Sequence, residues 1–274
     1  MVKIETLLKS KNYRRQYGRF IFFQDQINHK GKSLVGKKTG RNIRLNPRLY
    51  DFSYLMIKSF LETMNKFVKL VKKAGKNSII LDLGCGDKPF ESLFPNSQLI
   101  GVDISQDSLA EVIADNHHLP FKDNIFDAVI ASEVLEHSDN EYLFIKELRR
   151  VIKNNGLVFI SLPFVFPLHG VPDDFQRFTK YKLKKLFKKD ELMYLKESNN
   201  ILASLFLFPN YCLRILFGSF KLIFPFYLIN NLLGLVVEKV SDFYRNKKGF
   251  IGEYWEYALT SMPMGYSLII KIKK

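Results

Sequence analysis

The sequence predicts an α/β protein with an open, mostly parallel sheet and helices on both faces. Three observations predict it. Four short apolar runs rich in β-formers recur along the chain: SIILDLG, SQLIGVDIS, FDAVIAS and GLVFISLP. A segment with helical periodicity precedes the first run, and another lies between the third and fourth. The first run ends in a glycine turn, ILDLGCGDKPF, of the kind that lets a ligand approach the backbone.

Residues 1–48 are basic and weakly periodic. From Leu49 to Ala74 a helix is expected, because Leu55, Phe60, Leu61, Met64, Phe67, Val68 and Val71 recur at three- and four-residue steps. Gly75 stops it. The four strands follow, and EYLFIKELRRVIK is read as a helix ending near Asn154-Asn155-Gly156. After Pro163 the chain is polar and basic to about residue 200, with a helix TKYKLKKLFKK that Thr179 can cap. Residues 201–237 are very apolar. The end, ALTSMPMGYSLIIKIKK, reads as an antiparallel hairpin finishing the sheet. Three regions result: a basic arm and helix at 1–75, a ligand-binding core at 76–165, and a substrate-side loop, apolar helical cap and hairpin at 166–274.

The glycine turn limits the ligand. A dinucleotide site wants a third glycine where Pro89 stands, and a phosphate loop wants Gly-Lys-Ser/Thr. Asp82 and Asp87 in the turn would repel a pyrophosphate. A nucleoside carrying positive charge and no phosphate suits it better, and S-adenosyl-L-methionine, with a sulfonium and an ammonium, is such a ligand. Asp103 ends the second strand about 20 residues on, where an acid can accept both ribose hydroxyls. Asp115-Asn116, with Leu119-Pro120-Phe121 after them, offer a partner for the adenine amino group and apolar walls. Ser132-Glu133 and Glu136-His137 follow the third strand at the same sheet edge.

In this order ILDLGCG, GVDIS, ADNHHLPFKDNIFDAVIASEVLEH and ELRRVIKNNGLVFISLP resemble the class I S-adenosylmethionine-dependent methyltransferases, in the methyltransferase type 11 group, over residues 78–164. The resemblance implies a Rossmann-like, seven-stranded sheet with one antiparallel strand, and methyl transfer to a nucleophile. Carried over residue by residue, Asp82, Gly84, Cys85 and Gly86 would frame the methionine end, Asp103 and Ile104 the ribose, Asp115 and Asn116 the adenine, and Ser132 and Glu133 the sulfonium side. Asp87-Lys88-Pro89 departs from the Thr-Gly pair of many members and looks like a variant found among members encoded with polysaccharide biosynthesis.

A hydroxyl acceptor needs a base. The segment HGVPDDFQRFT follows the fourth strand and should overhang the site; it resembles a His-x-x-Pro-x-Asp-x-x-Arg-x-Thr pattern of related bacterial methyltransferases. His169 is the first candidate base, Asp173 or Asp174 its orienter, and His137 a further catalytic candidate. Asp174 and Arg177 are candidate acceptor contacts, or a loop-stabilising ion pair. Cys85 reads as a small filler, since nothing suggests an activating partner. With no clustered Cys/His spacing, no metal is expected.

The net charge is +15, and residues 1–50 hold 13 Lys and Arg against Glu5 and Asp25, a local balance of 13 − 2 = +11. Such an arm suits an anionic partner, a phosphorylated acceptor or an anionic membrane surface. Two apolar runs within 201–237 are separated by Arg214 and Lys221 and interrupted by Pro209, Pro225 and Asn230-Asn231. They read as a buried cap or as a surface dipping into a bilayer. Two cysteines and no apolar N-terminal run point to a cytoplasmic protein that meets the inner face of a membrane. The expected acceptor is a polysaccharide precursor, sugar nucleotide or lipid-linked intermediate; a quinone or other lipid is the rival within the class. A non-catalytic binding module is the rival outside it, and it would have lost Asp82, Asp103 or Asp115. Nucleic acid is not expected, since no Asn/Asp-Pro-Pro-Tyr motif follows the third strand.

Overall fold

The computed structural model describes residues 2–10, 13–16, 18–22, 43–75, 77–218, 220–247 and 249–274. Part of the basic arm, residues 23–42, therefore lies outside the described residues. The strands are β1 (Arg14–Gln16), β2 (Arg19–Ile21), β3 (Ile79–Leu83), β4 (Gln98–Asp103), β5 (Val112–Ile113), β6 (Phe126–Ser132), β7 (Ile152–Pro163), β8 (Glu191–Ser198) and β9 (Gly265–Lys271). They form one sheet in the order β1-β2-β5-β4-β3-β6-β7-β9-β8. The expected seven strands are β3 to β9, and among them only β9 runs antiparallel to its neighbours, β7 and β8. The sheet has nine strands because the basic arm adds β1 and β2 beside β5. Each has three residues, too few for an alternation to stand out.

The helices are α1 (Ile4–Leu7), α2 (Tyr54–Ala74), α3 (Glu141–Val151), α4 (Lys180–Leu186), α5 (Ile201–Phe217), α6 (Phe224–Arg245) and α7 (Phe250–Leu259). Strand side chains alternate between the two faces. Ile80, Ile130, Phe159 and Ile269 meet Met64, Phe67, Val68 and Val71 of α2. Leu81, Val129, Val158, Ile160 and Ile270 pack with Phe144 and Leu148 of α3 and Leu183 of α4. Asn140 caps α3 by accepting from the Leu143 N–H, and Thr179 caps α4 by accepting from that of Lys182, as expected. α3 ends at Val151, and Asn154-Asn155-Gly156 fall inside β7, where a register shift opposite Phe126–Ala128 accommodates them.

The antiparallel C-terminal pair is β8 with β9. Ala258–Ser261, read from sequence as its first strand, instead ends α7 and begins the turn into β9. Residues 199–264 thus form an insertion between two paired strands, and this insertion is the helical cap. Pro209 does not interrupt α5, and Pro225 opens α6, where a missing N–H costs nothing. Asn230-Asn231 does not break α6 either. Asn210 and Asn231 are fully buried, and Asn231 accepts from Asn210 while donating to the Leu49 and Asp51 carbonyls at 2.6 and 2.9 Å. These amides tie the cap to the entry of α2.

Candidate active site

The site lies at the carboxyl ends of β3, β4, β6 and β7, where an open α/β sheet offers its crevice. β3 delivers Asp82 and then turns sharply, with positive φ at Gly84 (62°), Gly86 (53°) and Lys88 (51°). A Cβ on Gly84 would lie 2.5 Å from a Val134 methyl, so that position must be glycine. A Cβ on Gly86 would meet nothing within 4 Å, so the turn presents open backbone there. Only a 3-10 turn, Glu91–Leu93, separates the glycine turn from β4. With no α-helix N-terminus behind it, the turn lacks the usual seat of a pyrophosphate.

Asp82 is buried and its Oδ2 has no hydrogen-bond partner; burial pushes its carboxyl up to about 8, with Lys88 and Arg44 acting the other way. A ligand ammonium would supply the missing partner. Asp103 is held by the N–H groups of Gly86 and Ser105, each at 2.8 Å, and burial raises its carboxyl against those bonds. Beside it Ile104 and Leu109 are exposed apolar side chains, 41% and 49% accessible, suited to a ring face. Leu119 and Phe121, expected as adenine walls, are fully buried instead: Phe121 stacks edge-on against Phe126 at 4.9 Å inside the core.

Asp115 is engaged locally. It accepts from the His117 N–H at 2.9 Å and pairs with His117 Nδ1 at 3.0 Å. Burial would raise its carboxyl, but the His117 bonds win and hold it near about 2. His117 Nε2 in turn reaches Ser138 Oγ at 2.7 Å. The neighbour with spare capacity is Asn116, whose Oδ1 is buried without a partner. The Cys85 side chain packs with Ile21, Ala110 and Ile113, and burial pushes its thiol up, so only its backbone can serve a ligand. Lys88, part of the departure from the Thr-Gly pair, is a staple: its Nζ bonds Glu111 at 2.6 Å and Glu91 at 2.8 Å, while Glu111 also accepts from the Gly101 N–H at 2.7 Å. Lys88→Ala should therefore destabilise the protein by about 1–3 kcal/mol, since it strands a half-buried carboxylate. Thermal unfolding checks it, and an unchanged midpoint would remove the staple.

On the acceptor side, Ser132 Oγ and Ser161 Oγ are 3.0 Å apart, and the Glu133 N–H donates to the Ser161 carbonyl at 2.9 Å. Glu133 has φ 53° and is exposed at the end of β6; the protein crowded about its carboxylate and the Glu136 carboxylate raise its carboxyl to about 7. Glu136 is fully buried, which likewise raises it to about 7. His169 Nε2 lies 3.5 Å from Glu136 Oε1, and His137 Nε2 lies 3.8 Å from the same oxygen. Of the two acids expected beside His169, it is Asp174 whose side chain meets it, accepting from the His169 N–H at 3.0 Å and lying 3.3 Å from its Nδ1. Asp173 contributes its backbone carbonyl, 2.6 Å from His137 Nδ1. Arg177 grips Asp174 with both guanidinium nitrogens, so the ion pair is the structural one; its bond holds the Asp174 carboxyl down to about 2. Sequence reasoning missed Arg44, which bears electrostatically on Asp82 and Glu133, and Ser161, hidden in an apolar strand.

A family model described as a methyltransferase domain matches residues 81–160. An uncharacterized protein of Methanocaldococcus jannaschii is 38% identical over 92 residues, 31% of this chain and 40% of that protein. A tRNA (carboxymethyluridine(34)-5-O)-methyltransferase of Arabidopsis thaliana is 35% identical over 35% of this chain and 27% of its own length. A ubiquinone biosynthesis O-methyltransferase of Pelagibacter ubique is 26% identical over 56% of this chain and 74% of its own. The chain thus spans less than half the length of the first two. The solved phosphoethanolamine N-methyltransferase 2 of Haemonchus contortus matches at a TM-score of 0.45 and 15% identity, over 76% of this chain and 52% of that one. The motif order and the family match agree over the same stretch: residues 81–160 belong to the methyltransferase domain family, and among β3 to β9 the sheet has the single reversed strand that the resemblance implies.

Proposed function

We propose that the protein is an S-adenosylmethionine-dependent methyltransferase whose acceptor is carried on a lipid and bears phosphate, a glycan intermediate before a quinone. The observation that carries the methyltransferase reading is the set of acids around the glycine turn. Asp82 with an unpartnered oxygen, Asp103 beside open backbone and Glu133 at the end of β6 suit a cationic nucleoside, and no α-helix lies between the turn and β4 to favour phosphate. When bound, S-adenosylmethionine supplies an electrophilic methyl carbon on its sulfonium. Asp82 would face the ammonium, Asp103 the ribose hydroxyls and Asn116 the adenine edge. Glu136, His137 and His169 would position the acceptor and handle its proton; much of the rate comes from such placement.

What supports a lipid-borne acceptor is the cap. Ile215, Leu216, Phe220, Leu222 and Phe226, all more than half exposed, crowd the α5–α6 connection, and Lys221 lies among them. A soluble protein seldom leaves such a patch uncovered. By length and composition Lys221–Arg245 could cross a bilayer. Its apolar part, Phe224 to Val237, is only about 21 Å long, short of a roughly 30 Å hydrocarbon core. Glu238, Lys239, Asp242 and Arg245 follow it. The cap therefore lies on an anionic membrane surface instead of spanning it, as the basic arm would favour.

Calorimetric titration with S-adenosylhomocysteine tests the core of this reading, with NAD as control. Micromolar binding of the first alone is expected. Asp103→Ala should weaken it by about 10- to 100-fold, the worth of charge-assisted hydrogen bonds. Asp103→Asn, which keeps an acceptor for only one of the Gly86 and Ser105 N–H groups and turns a donor on the other, should weaken it comparably. Unchanged affinity in both variants would remove Asp103 from the ribose.

A further inference from the structure

Beneath the acceptor side, two imidazoles and a carboxylate face one another across short gaps. Glu136 is fully buried, and neither carboxylate oxygen has a hydrogen-bond partner among the described residues. A carbonyl can only accept, so the 2.6 Å contact with the Asp173 carbonyl places the His137 proton on Nδ1. The Nδ1 of His169 sits between two acceptors, Asp174 Oδ2 at 3.3 Å and the Pro167 carbonyl at 3.3 Å, so its proton is there too. In the neutral rings both Nε2 atoms are left with lone pairs, 3.5 and 3.8 Å from Glu136 Oε1. Three lone-pair donors gathered in one place with no donor hydrogen between them are a ligand set in want of a cation.

We propose that Glu136, His137 and His169 bind one divalent transition-metal ion through Glu136 Oε1 and the two Nε2 atoms. The three ligand atoms lie within 4.8 Å of one another. Ligands about 2.1 Å from an ion at a tetrahedral angle stand roughly 3.4 Å apart, close to the observed separations. Two nitrogens and one carboxylate suit zinc, manganese or iron better than magnesium or calcium. The outer partners are those a metal site needs: each Nδ1–H is held by a carbonyl or carboxylate, which fixes the ring and its tautomer, and Arg177 holds that carboxylate in turn. Gly170 joins the two histidine loops at φ 65°, and a Cβ there would come within 2.9 Å of His137 Cε1. With three protein ligands the ion keeps open positions, which an oxygen of the acceptor, hydroxyl or phosphate, would take. Spacing could not reveal the site, because His169 is 32 positions after His137 and the carboxylate is a glutamate. Ion binding stands alone; the ion's use in presenting an acceptor rests on the methyltransferase reading.

The test is titration of the chelator-treated full-length protein with Zn2+ by calorimetry and with Co2+ by visible absorption. One equivalent should bind at micromolar affinity or tighter, with ligand-field bands from Co2+. Glu136→Gln and His169→Ala should each weaken binding by at least about 10-fold. Retained S-adenosylhomocysteine binding would show both variants folded. Absence of stoichiometric binding would overturn the proposal, leaving Glu136 to share a proton with a histidine. One-equivalent binding that neither variant changes would overturn it too. Failure of the wild type to bind S-adenosylhomocysteine would remove the methyltransferase reading and leave the ion to the Zn2+ titration.

Discussion

His169→Ala lowers methyl transfer by about 100- to 10,000-fold and leaves S-adenosylhomocysteine affinity within about twofold. The magnitude is that of removing a group that handles the acceptor's proton or its metal ligand. The split follows from where His169 sits. Among the described residues it meets Glu136, His137, Asp174, Pro167 and Phe166 and acts electrostatically on Glu133, and none of these belongs to the glycine turn or is Asp103. Transfer of labelled methyl from S-adenosylmethionine into the lipid fraction of the cells that make the protein measures turnover; calorimetry measures affinity. Asp174→Asn should give a smaller loss, about 10-fold, because the ring keeps its place but loses the charge that fixes its Nδ1 proton. Wild-type turnover in His169→Ala would dismiss the residue from the chemistry. A parallel loss of cofactor affinity would mean that it only supports the fold.

Much of this arrangement was legible in the sequence because its physics is local. Each of the strands β3, β4, β6 and β7 buries side chains on both faces, so each reads as a nearly continuous apolar run. The glycine turn is dictated by backbone conformation, and Thr179 by capping. What escaped depends on distant partners. β8, ELMYLKES, is half-buried and charged at its ends, so it resembles the polar segment around it. Asp115 is the exception: its partner His117 is only two residues on, and what the sequence does not display is the turn that folds the ring back onto it. Leu119 and Phe121 looked like pocket walls, yet apolar residues next to a site are as readily core. Asp174 and Asp173 are neighbours in the chain with opposite tasks, one offering its side chain and the other its backbone. Pro209 and Asn230-Asn231 looked like breaks in the apolar runs, whereas α5 and α6 continue through them, and Asn210 and Asn231 are buried with their amides bonded across to the loop before α2.

The cap supplies the other large expected effect. Replacing Leu216, Leu222 and Phe226 together by glutamate should weaken binding to vesicles containing phosphatidylglycerol by about 100-fold or more in partitioning. Each side chain is now more than half exposed and would bury its apolar surface in the interface, and full burial of such a side chain is worth roughly 1.5–3 kcal/mol. Half that gain, summed over three, is about 2–4.5 kcal/mol, and the three carboxylates add repulsion from the anionic surface; the basic arm contributes about 1 kcal/mol for each cation near the surface, screened within a Debye length. The apolar term does not fade with salt, so wild-type binding should persist at 0.5 M NaCl while the arm's share is lost. Cosedimentation measures both, and S-adenosylhomocysteine affinity should be unchanged because the substituted side chains lie on the cap, away from the glycine turn. If the wild type ignores vesicles and the triple variant instead converts a dimer to a monomer, the apolar face is a contact between two copies of the chain, and a lipid-borne acceptor loses its main support.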